Sequence, residues 1–344
     1  MRHDIGGTVT AIVPAYNEAE HIADTVRSLQ EQVRPPDQII VVDDHSDDGT
    51  GPIAAGLGAT VLRPLSNTGS KAGAQNFALD HVTTDYVMVL DADTTLAADA
   101  IEKTMPAFED ERVAAACGFV VPRQVRSIWE RGRYVEYLFA LGFHKQVQDY
   151  YGRPLISSGC FSVYRTGPLR QAGGWGQRTM AEDMDLTWTL YELGYRVRFV
   201  PEAVSYPVEP NDLSLMRKQL KRWSHAFFQN ARVHWRGLVT MPYLFSAVAV
   251  GLSDAILASV VLLALLPVLA VLVSPLFLLG YVIDLPVVAV PVLVVGARRG
   301  ELVRAATSIP AFFVLRVVNA CLLLKALVLE VFLRRPLTVY EKGH

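Results

Sequence analysis

The sequence predicts an α/β domain followed by a region of membrane helices. Residues 9–13, 39–42 and 87–90 are short apolar runs, and each is followed by a polar loop. Strands that are apolar on both faces and alternate with helices are typical of a parallel, doubly wound sheet. Hydrophobic residues make up 51% of the chain, the mean hydropathy is +0.26, and the apolar excess lies after Pro242. Such an excess is typical of segments that enter a lipid bilayer.

Size and charge narrow the class of protein. The 344 residues are too many for one small module and predict at least two structural units. A net charge of −2 with no long basic run argues against nucleic acid as a partner. The three cysteines are far apart, which fits a reducing compartment better than a disulfide framework. Residues 1–7 contain no apolar run, so the first domain is expected to stay in the cytosol.

The elements of the α/β domain follow from periodicity. The helix after the first strand covers residues 18–32, because Ile22, Val26 and Leu29 recur at helical spacing. In sheets of this class, ligands bind beyond the carboxyl ends of the strands. The acidic residues at those ends, which would line a ligand crevice, are Asp43, Asp44, Asp91 and Asp93.

The second half of the chain contains helices of several kinds. Residues 127–150 are rich in aromatic side chains and predict a long helix that packs on the sheet or touches lipid. Residues 211–235 mix aromatic and basic side chains, which is typical of a helix lying in the membrane interface. Residues 243–273 and 275–297 are each long enough for the ~20 apolar residues that cross a bilayer.

A third apolar segment, residues 309–333, leaves two topologies open. Its length favours a third crossing, but it contains Arg316, Lys325 and Glu330, which are costly in lipid unless they are paired. The tendency of basic loops to stay in the cytosol also favours an interfacial or re-entrant helix, because a crossing would place Arg334 outside.

These patterns divide the chain into three regions. Residues 1–210 are expected to form a cytosolic α/β domain, residues 211–241 an amphipathic interfacial helix, and residues 242–344 a membrane region of two or three helices. The protein is therefore expected to be an integral membrane protein, with the plasma membrane as its site.

The triplet Asp91-Ala-Asp93 predicts a metal site. Two carboxylates at a strand end can hold Mn²⁺ or Mg²⁺ against a diphosphate, because hard cations prefer oxygen ligands. About one such triplet is expected by chance in a chain of this aspartate content, so its position directly after a buried strand is what favours function.

The loop 43–50 and the helix start at Lys71 are candidates for nucleotide contacts. Asp43 and Asp44 are nearest the strand end and can accept hydrogen bonds from a base or ribose, while Lys71 can offset the charge of a diphosphate. Asp47 and Asp48 are better explained as ordinary loop residues. Thr50 is then expected to cap the next helix.

Two further sets of residues are candidates for a role in catalysis or binding. Glu182 and Asp183 precede a helix, where acidic residues are favourable for structure alone; one of them can also act as the base that a weak sugar nucleophile needs. Gln219, Arg222 and Trp223 belong to the interfacial helix, yet Arg222 can reach a leaving phosphate and Trp223 can present a flat apolar face to a sugar.

Together these residues resemble the family 2 inverting glycosyltransferases of the membrane-integrated synthase type, the group that contains cellulose, chitin and hyaluronan synthases. The carriers of the resemblance, in the family's order, are Val-Pro-Ala-Tyr-Asn-Glu at 13–18, Val-Val-Asp-Asp at 41–44, Lys-Ala-Gly at 71–73, Asp-Ala-Asp at 91–93, Glu182-Asp183 and Gln219-x-x-Arg222-Trp223.

The resemblance implies a Rossmann-like nucleotide-sugar (GT-A) fold and a set of roles. It implies uridine contacts for Asp43 and Asp44, diphosphate contacts for Lys71, Asp91 and Arg222, a metal at Asp93 and Asp91, a general base in Asp183, and acceptor contacts for Glu182, Gln219 and Trp223. The tail, residues 334–344, partly resembles the gating loop of the synthases. Ala181 departs from the threonine that many synthases have before Glu-Asp.

Three functions stay open from sequence. The first is transfer of a sugar from a UDP-sugar to a growing β-linked polysaccharide. The second is transfer of one sugar to a membrane lipid such as a polyprenyl phosphate, ceramide or diacylglycerol, which the short membrane region favours. The third is non-catalytic binding of a nucleotide sugar. Two or three helices can hardly enclose a polysaccharide channel, so a secreted polymer would require a homo-oligomer.

Overall fold

The computed structural model describes residues 6–338, apart from the side chain of Asp254. The chain forms two compact units. The first, here called the sheet unit, extends to Arg123 and resumes over Gln146–Val208. The second, the helical unit, comprises Gln124–Lys145 and the chain from Glu209 onward.

The sheet unit is built on one mixed sheet with the strand order β3-β2-β1-β4-β7-β6-β8-β5. The strands are β1 (Val9–Ala15), β2 (Gln38–Asp43), β3 (Thr60–Leu62), β4 (Tyr86–Leu90), β5 (Thr95–Leu96), β6 (Val113–Val120), β7 (Phe161–Arg165) and β8 (Arg196–Tyr206).

The helices of the described chain follow in order. They are α1 (Ile22–Gln30), α2 (Thr50–Gly56), α3 (Lys71–Leu79), α4 (Ala100–Thr104), α5 (Ile128–Phe139), α6 (Lys145–Tyr150), α7 (Thr166–Gln171), α8 (Glu182–Glu192), α9 (Leu213–Val233), α10 (Trp235–Thr240), α11 (Pro242–Val260), α12 (Leu266–Leu272), α13 (Gly280–Arg298) and α14 (Leu302–Leu327).

The predicted α/β, Rossmann-like architecture is confirmed, but the sheet is not wholly parallel. Strands β3, β2, β1 and β4 pair in parallel, as their βα connections require. Strand β7 runs antiparallel to both β4 and β6, and β5 runs antiparallel to β8. Strand β5 has only two residues, and β7 follows an irregular loop at 157–160, so their sequences do not show the strand–helix alternation that predicts direction.

The strand cores explain why the sheet forms. Strand β4 is buried along its whole length, and β6 likewise, so apolar side chains on both faces leave water. Helix α1 buries Ile22, Val26 and Leu29 against this sheet unit, which confirms the predicted apolar face. Each such side chain stabilises the fold by about 1.5–3 kcal/mol of transfer free energy.

Among the described residues of the helical unit, three helices are long and apolar enough to cross a membrane. They span Pro242–Leu272, Pro275–Arg298 and Leu302–Phe332. The first continues from α11 through a π-helical turn into α12. The third begins at Leu302, seven residues before the predicted apolar segment. The preceding helix ends at Arg298, Gly300 turns the chain with φ +73°, and Glu301 occupies the N-cap position of α14.

Two charged groups within these helices, Arg316 and Glu330, are paired, which lowers their cost in lipid. Arg316 of α14 forms an ion pair with Asp284 of α13. Glu330 accepts hydrogen bonds from His225 Nδ1 at 2.8 Å and from Gln229 Nε2 at 2.7 Å. The backbone N–H of Leu337 also donates to Glu330, at 3.1 Å. Most of the predicted tail, residues 339–344, lies outside the described residues.

Candidate active site

Parallel strands bring the predicted acidic residues to one edge of the sheet. Strand β2 ends at Asp43, and Asp91 follows directly after the last residue of β4. Strand β1 lies between β2 and β4 and is parallel to both. The carboxyl ends of the three strands therefore face the same crevice, which is where ligands bind in sheets of this class.

Lys71 joins carboxylates that lie far apart in the sequence. Its ammonium group forms an ion pair with Asp91, lies 3.5 Å from Glu182 Oε1, and donates a hydrogen bond to the carbonyl oxygen of Gly159 at 2.9 Å. Burial alone would lower the pKa of Lys71, but Asp91 and Glu182 raise it well above its usual value. Lys71 is therefore a charged cation at the centre of the site.

The start of α3 holds Lys71 in place. Ser70 caps this helix, because its side chain accepts a hydrogen bond from the N–H of Gly73. The preceding loop is fixed by Asp44, whose carboxylate accepts hydrogen bonds from Thr68 N and Thr68 Oγ1, both at 2.8 Å. Asp44 thus links the end of β2 to the residues that aim Lys71.

Asp183 is held at the first turn of α8 by backbone donors. Its Oδ2 accepts a hydrogen bond from Gly159 N at 2.8 Å, and its Oδ1 accepts one from Met184 N at 2.8 Å. Thr187 Oγ1 donates to the carbonyl oxygen of Asp183 at 2.6 Å. Since two backbone groups fix its carboxylate, Asp183 is pre-oriented before any ligand binds.

The protonation of Asp183 is tuned by its surroundings. Burial and the charge of Glu182 raise its pKa from 3.8 to about 6, against the lowering effect of Lys71 and of the Gly159 and Met184 N–H groups. A carboxylate with a raised pKa is a stronger base than an ordinary aspartate and is still ionised at pH 7. The arrangement is therefore suited to accept a proton.

Gly159 is a site residue that the sequence motifs do not single out. A Cβ atom on Gly159 would lie 3.0 Å from Asp183 Oδ2 and 3.1 Å from Lys71 Nζ. Both contacts are tighter than ordinary packing, so a side chain there would displace one of these two groups. Its role follows from the three-dimensional structure and not from the sequence, because Gly159 and Lys71 are 88 positions apart.

We expect Gly159→Ala to lower kcat by roughly tenfold, because Asp183 and Lys71 must give way by a few tenths of an ångström, less than the ~1 Å that can cost a hundredfold. The melting temperature should change little, because the loop keeps its backbone. Gly167→Ala is the matched control, since a Cβ there meets nothing within 4 Å. Steady-state kinetics with unchanged turnover for Gly159→Ala would contradict this account of the loop.

Asp93 offers the oxygen chemistry of a divalent cation site. Its side chain is buried, and its Oδ1 accepts a hydrogen bond from Thr94 Oγ1 at 3.1 Å. Within residues 6–338, no group of three His, Cys, Asp or Glu side chains forms a metal site by itself. The carboxylates of Asp91, Glu182 and Asp183 exceed the single charge of Lys71. The residues present therefore fit a divalent cation that is bound partly by carboxylates and partly by the phosphate oxygens of a ligand.

The loop after β2 makes internal contacts. Asp43 is buried, accepting hydrogen bonds from Arg63 Nη1 at 2.6 Å and Ser46 N at 2.9 Å. Asp48 Oδ2 accepts from Ala19 N at 2.9 Å, which fits the structural role expected of this residue. The prediction that Thr50 caps a helix is wrong: α2 begins at Thr50, and its cap position is a glycine with φ 92°.

The other loop residue interpreted as structural, Asp47, donates its backbone N–H to Asn17 Oδ1 at 3.0 Å. Since the side chain of Asn17 belongs to the turn after β1, this bond ties the first two strand-end loops together. The contacts of the two loops therefore fix the crevice on the β1 and β2 side.

Gln219, Arg222 and Trp223 all lie on α9 of the helical unit. Gln219 and Trp223 are four positions apart and thus share one helix face. Gln219 Oε1 is buried and has no hydrogen-bond partner among the described residues. The Trp223 ring is 37% exposed, and the guanidinium carbon of Arg133 lies 4.3 Å from its centroid.

Comparisons with known proteins agree with this geometry. The chain is 29% identical over 220 residues to the poly-beta-1,6-N-acetyl-D-glucosamine synthase of Staphylococcus aureus strain COL, covering 63% of this chain and 53% of that protein. The Staphylococcus epidermidis synthase of the same name is 27% identical over the same length. The chain thus spans about half the length of the curated relatives it matches.

A solved structure shares the fold. It is a mannosyltransferase from Pyrobaculum calidifontis in complex with GDP-Man and Mn²⁺, with a TM-score of 0.62 and 21% sequence identity, covering 95% of this chain and 87% of that one. The mixed sheet and its acidic carboxyl edge therefore define a Rossmann-like, GT-A-type domain. Residues 10–173 match the family described as glycosyl transferase family 2, so this domain is similar to the family 2 glycosyltransferases over that range.

Proposed function

We propose that the protein transfers a sugar from a UDP-sugar to a growing β-linked polysaccharide at a membrane, with inversion at the anomeric carbon. The observation that carries the proposal is the Asp183 carboxylate, which two backbone N–H groups hold beside the Lys71 ion pairs. Inversion by direct displacement needs one base, and Asp183 is the group whose raised pKa suits that task.

Each charged group has a role in the proposed displacement. Asp183 accepts the proton of the acceptor hydroxyl as its oxygen bonds to the anomeric carbon and the bond to the diphosphate breaks. Lys71 would offset the charge of the leaving diphosphate. Glu182, which shares Lys71 with Asp91, would hydrogen-bond a hydroxyl of the acceptor.

The donor's remaining contacts are proposed at the sheet edge and on α9. Asp43 and Asp44 each have acceptor capacity beyond the protein hydrogen bonds they make, since an ionised carboxylate offers about four lone-pair sites. They would use it on the nucleoside. Arg222, from α9, would contact the leaving phosphate, as a guanidinium matches phosphate geometry.

A divalent cation, Mn²⁺ or Mg²⁺, would be held by Asp93 and Asp91 and would supply charge neutralisation for the departing diphosphate. We expect EDTA to abolish turnover. Asp93→Asn should raise the cation concentration needed for half-maximal rate at least about tenfold, as measured by a metal titration of nucleotide release. Asp99→Asn, at a partly exposed residue paired with Lys103, is the control. Full turnover in EDTA would refute the role of the metal.

The choice of a polymeric product is supported by the relatives. The staphylococcal proteins are named as synthases of poly-beta-1,6-N-acetyl-D-glucosamine, so an N-acetylhexosamine donor is the first to try. Gln219 Oε1, which is buried and has no hydrogen-bond partner within residues 6–338, also suits a sugar acceptor. It lies on the same helix face as Trp223, so it can accept a hydroxyl hydrogen bond beside a flat apolar ring.

The membrane arrangement is part of the proposal. The three long apolar helices support a membrane protein. Arg298 is the last residue of the second helix, Arg299 follows it, and Arg304 lies in the first turn of the third. Basic residues favour the cytosolic side, so we place this connection and the sheet unit in the cytosol, with the plasma membrane as the site. A secreted polymer would need a second copy of the chain to complete a channel.

The experiment is a donor panel with the full chain in lipid nanodiscs. UDP-GlcNAc, UDP-glucose and related donors are supplied with Mn²⁺ or Mg²⁺, nucleotide release is measured, and the product is sized by mass spectrometry. Products of many sugar units support polysaccharide synthesis. A single sugar on a polyprenyl phosphate, ceramide or diacylglycerol would replace that proposal with lipid glycosylation, and donor binding without turnover would exclude both.

A further inference from the structure

We propose that Arg133 is a positioning residue that fixes the indole ring of Trp223 as the platform for the acceptor sugar. This inference rests on the proposed function, because it takes Trp223 as an acceptor contact. It assigns a role to a residue of α5, which lies outside the motifs that the sequence singles out. All of the residues involved belong to the helical unit.

The Arg133 guanidinium is fixed by hydrogen bonds on its three nitrogens. Nε donates to Glu209 Oε2 at 3.2 Å, Nη1 to Glu136 Oε2 at 2.5 Å and Nη2 to Tyr137 Oη at 2.6 Å. Tyr137 Oη in turn donates to Glu209 Oε1 at 2.5 Å. A guanidinium bonded at three nitrogens in one plane cannot rotate without losing several bonds at once.

Arg133 is also buried and charged. Its exposed fraction is 0%. Burial alone would lower its pKa, but the neighbouring Tyr137, Glu136 and Glu209 raise it. A desolvated guanidinium over an aromatic ring interacts more strongly than an exposed one, and tryptophan is the best partner. The stacking of Arg133 on Trp223, at 4.3 Å from guanidinium carbon to ring centroid, is therefore of the stronger kind.

The contact with Arg133 restricts the orientation of the Trp223 side chain. With 37% of its surface exposed, this tryptophan lacks the full packing that locks a core side chain into one rotamer. Stacking on the immobile guanidinium supplies the missing constraint. The Gln219 amide oxygen lies one turn earlier on the same helix face. A sugar presents an apolar ring face and hydroxyl hydrogen-bond donors. The fixed Trp223 ring matches the first, and the Gln219 amide oxygen, a hydrogen-bond acceptor, matches the second.

A purely structural role for Arg133 predicts different results. The Glu136 and Glu209 pairs could serve only to join α5 to the start of the segment leading into α9. In that case removal of Arg133 would act in the same way whether or not Trp223 is present. A role through Trp223 instead predicts that the two substitutions are not independent.

The test is a double-mutant cycle read by sugar binding. Arg133→Lys keeps the charge but loses the planar stacking and part of the hydrogen-bond set. A β-1,6-linked N-acetylglucosamine hexamer is titrated into the full chain in nanodiscs by calorimetry. We expect Arg133→Lys to raise the Kd for the hexamer about tenfold and to leave the Kd for UDP unchanged. In a Trp223→Leu background, Arg133→Lys should have no further effect on hexamer binding.

Controls separate this inference from folding and from the proposed function. Arg131→Lys, on the exposed side of the same helix, should change neither Kd, and the melting temperature of each variant is followed by circular dichroism. Equal effects of Arg133→Lys with and without Trp223, or a parallel loss of UDP affinity, would overturn the positioning role. Because the readout is binding, it stands even if the donor panel shows no transfer, an outcome that would instead defeat the proposed function.

Discussion

Asp183→Asn is expected to reduce sugar transfer by roughly 10²–10⁴-fold, the range that a positioned general base contributes. The amide cannot take up the acceptor proton, while its size leaves the surrounding residues in place. UDP binding should persist, because Lys71 keeps its ion pairs with Asp91 and Glu182. The measurements are single-turnover transfer and the Kd for UDP by calorimetry.

The substitution also removes one acceptor from a carboxylate that serves two backbone N–H groups. We expect a stability loss of about 1 kcal/mol from this effect, which is too small to unfold the domain. Glu192→Gln, at the last residue of the same helix, is the matched control and should retain full activity. Turnover within tenfold of the parent protein would exclude Asp183 as the base.

Lys71→Met is expected to have the second largest effect. The substitution removes the charge that offsets the diphosphate and leaves Asp91 and Glu182 without their shared cation. A fall in kcat/KM of about 10²–10³-fold corresponds to the few kcal/mol that one preorganised charge contributes to a transition state. The Kd for UDP should weaken in parallel, in contrast with the result for Asp183→Asn.

The pH profile gives Lys71→Met a second readout. In the parent protein the base must be ionised, so the rate should fall tenfold for each pH unit below the Asp183 pKa of about 6. Lys71 lowers that pKa, so its removal should move the acid limb of the profile to higher pH. A limb that stays in place, or one that moves to lower pH, would contradict the electrostatic coupling of these two residues.

The sequence predicts those parts of the fold that depend on local pattern. The strands before Asp43 and Asp91, the helix that starts at Lys71 and the apolar face of α1 all follow from periodicity and end signals. The direction of β7 does not, because antiparallel pairing with β4 is decided by contacts between strands that are about 75 residues apart.

In the candidate site, too, local sequence pattern predicts some features and not those that depend on contacts between distant residues. Residue type and strand position single out Asp91, Asp93 and Asp183. They do not show that Lys71 bridges Asp91 and Glu182, or that Gly159 must lack a side chain, because both facts arise only when distant loops meet. Nor does any local signal on α5 indicate that Arg133 stacks on Trp223, ninety positions away.

The anomeric configuration of the product tests the central claim most directly. The account assigns proton transfer to a single base, Asp183, in one direct displacement on an α-linked UDP-sugar. One displacement inverts the anomeric carbon, whereas two would restore it. Proton NMR of the purified product, read from the coupling constant of the anomeric proton, should show a β-linkage. An α-linked product would require a second displacement step and would contradict the assignment of this site.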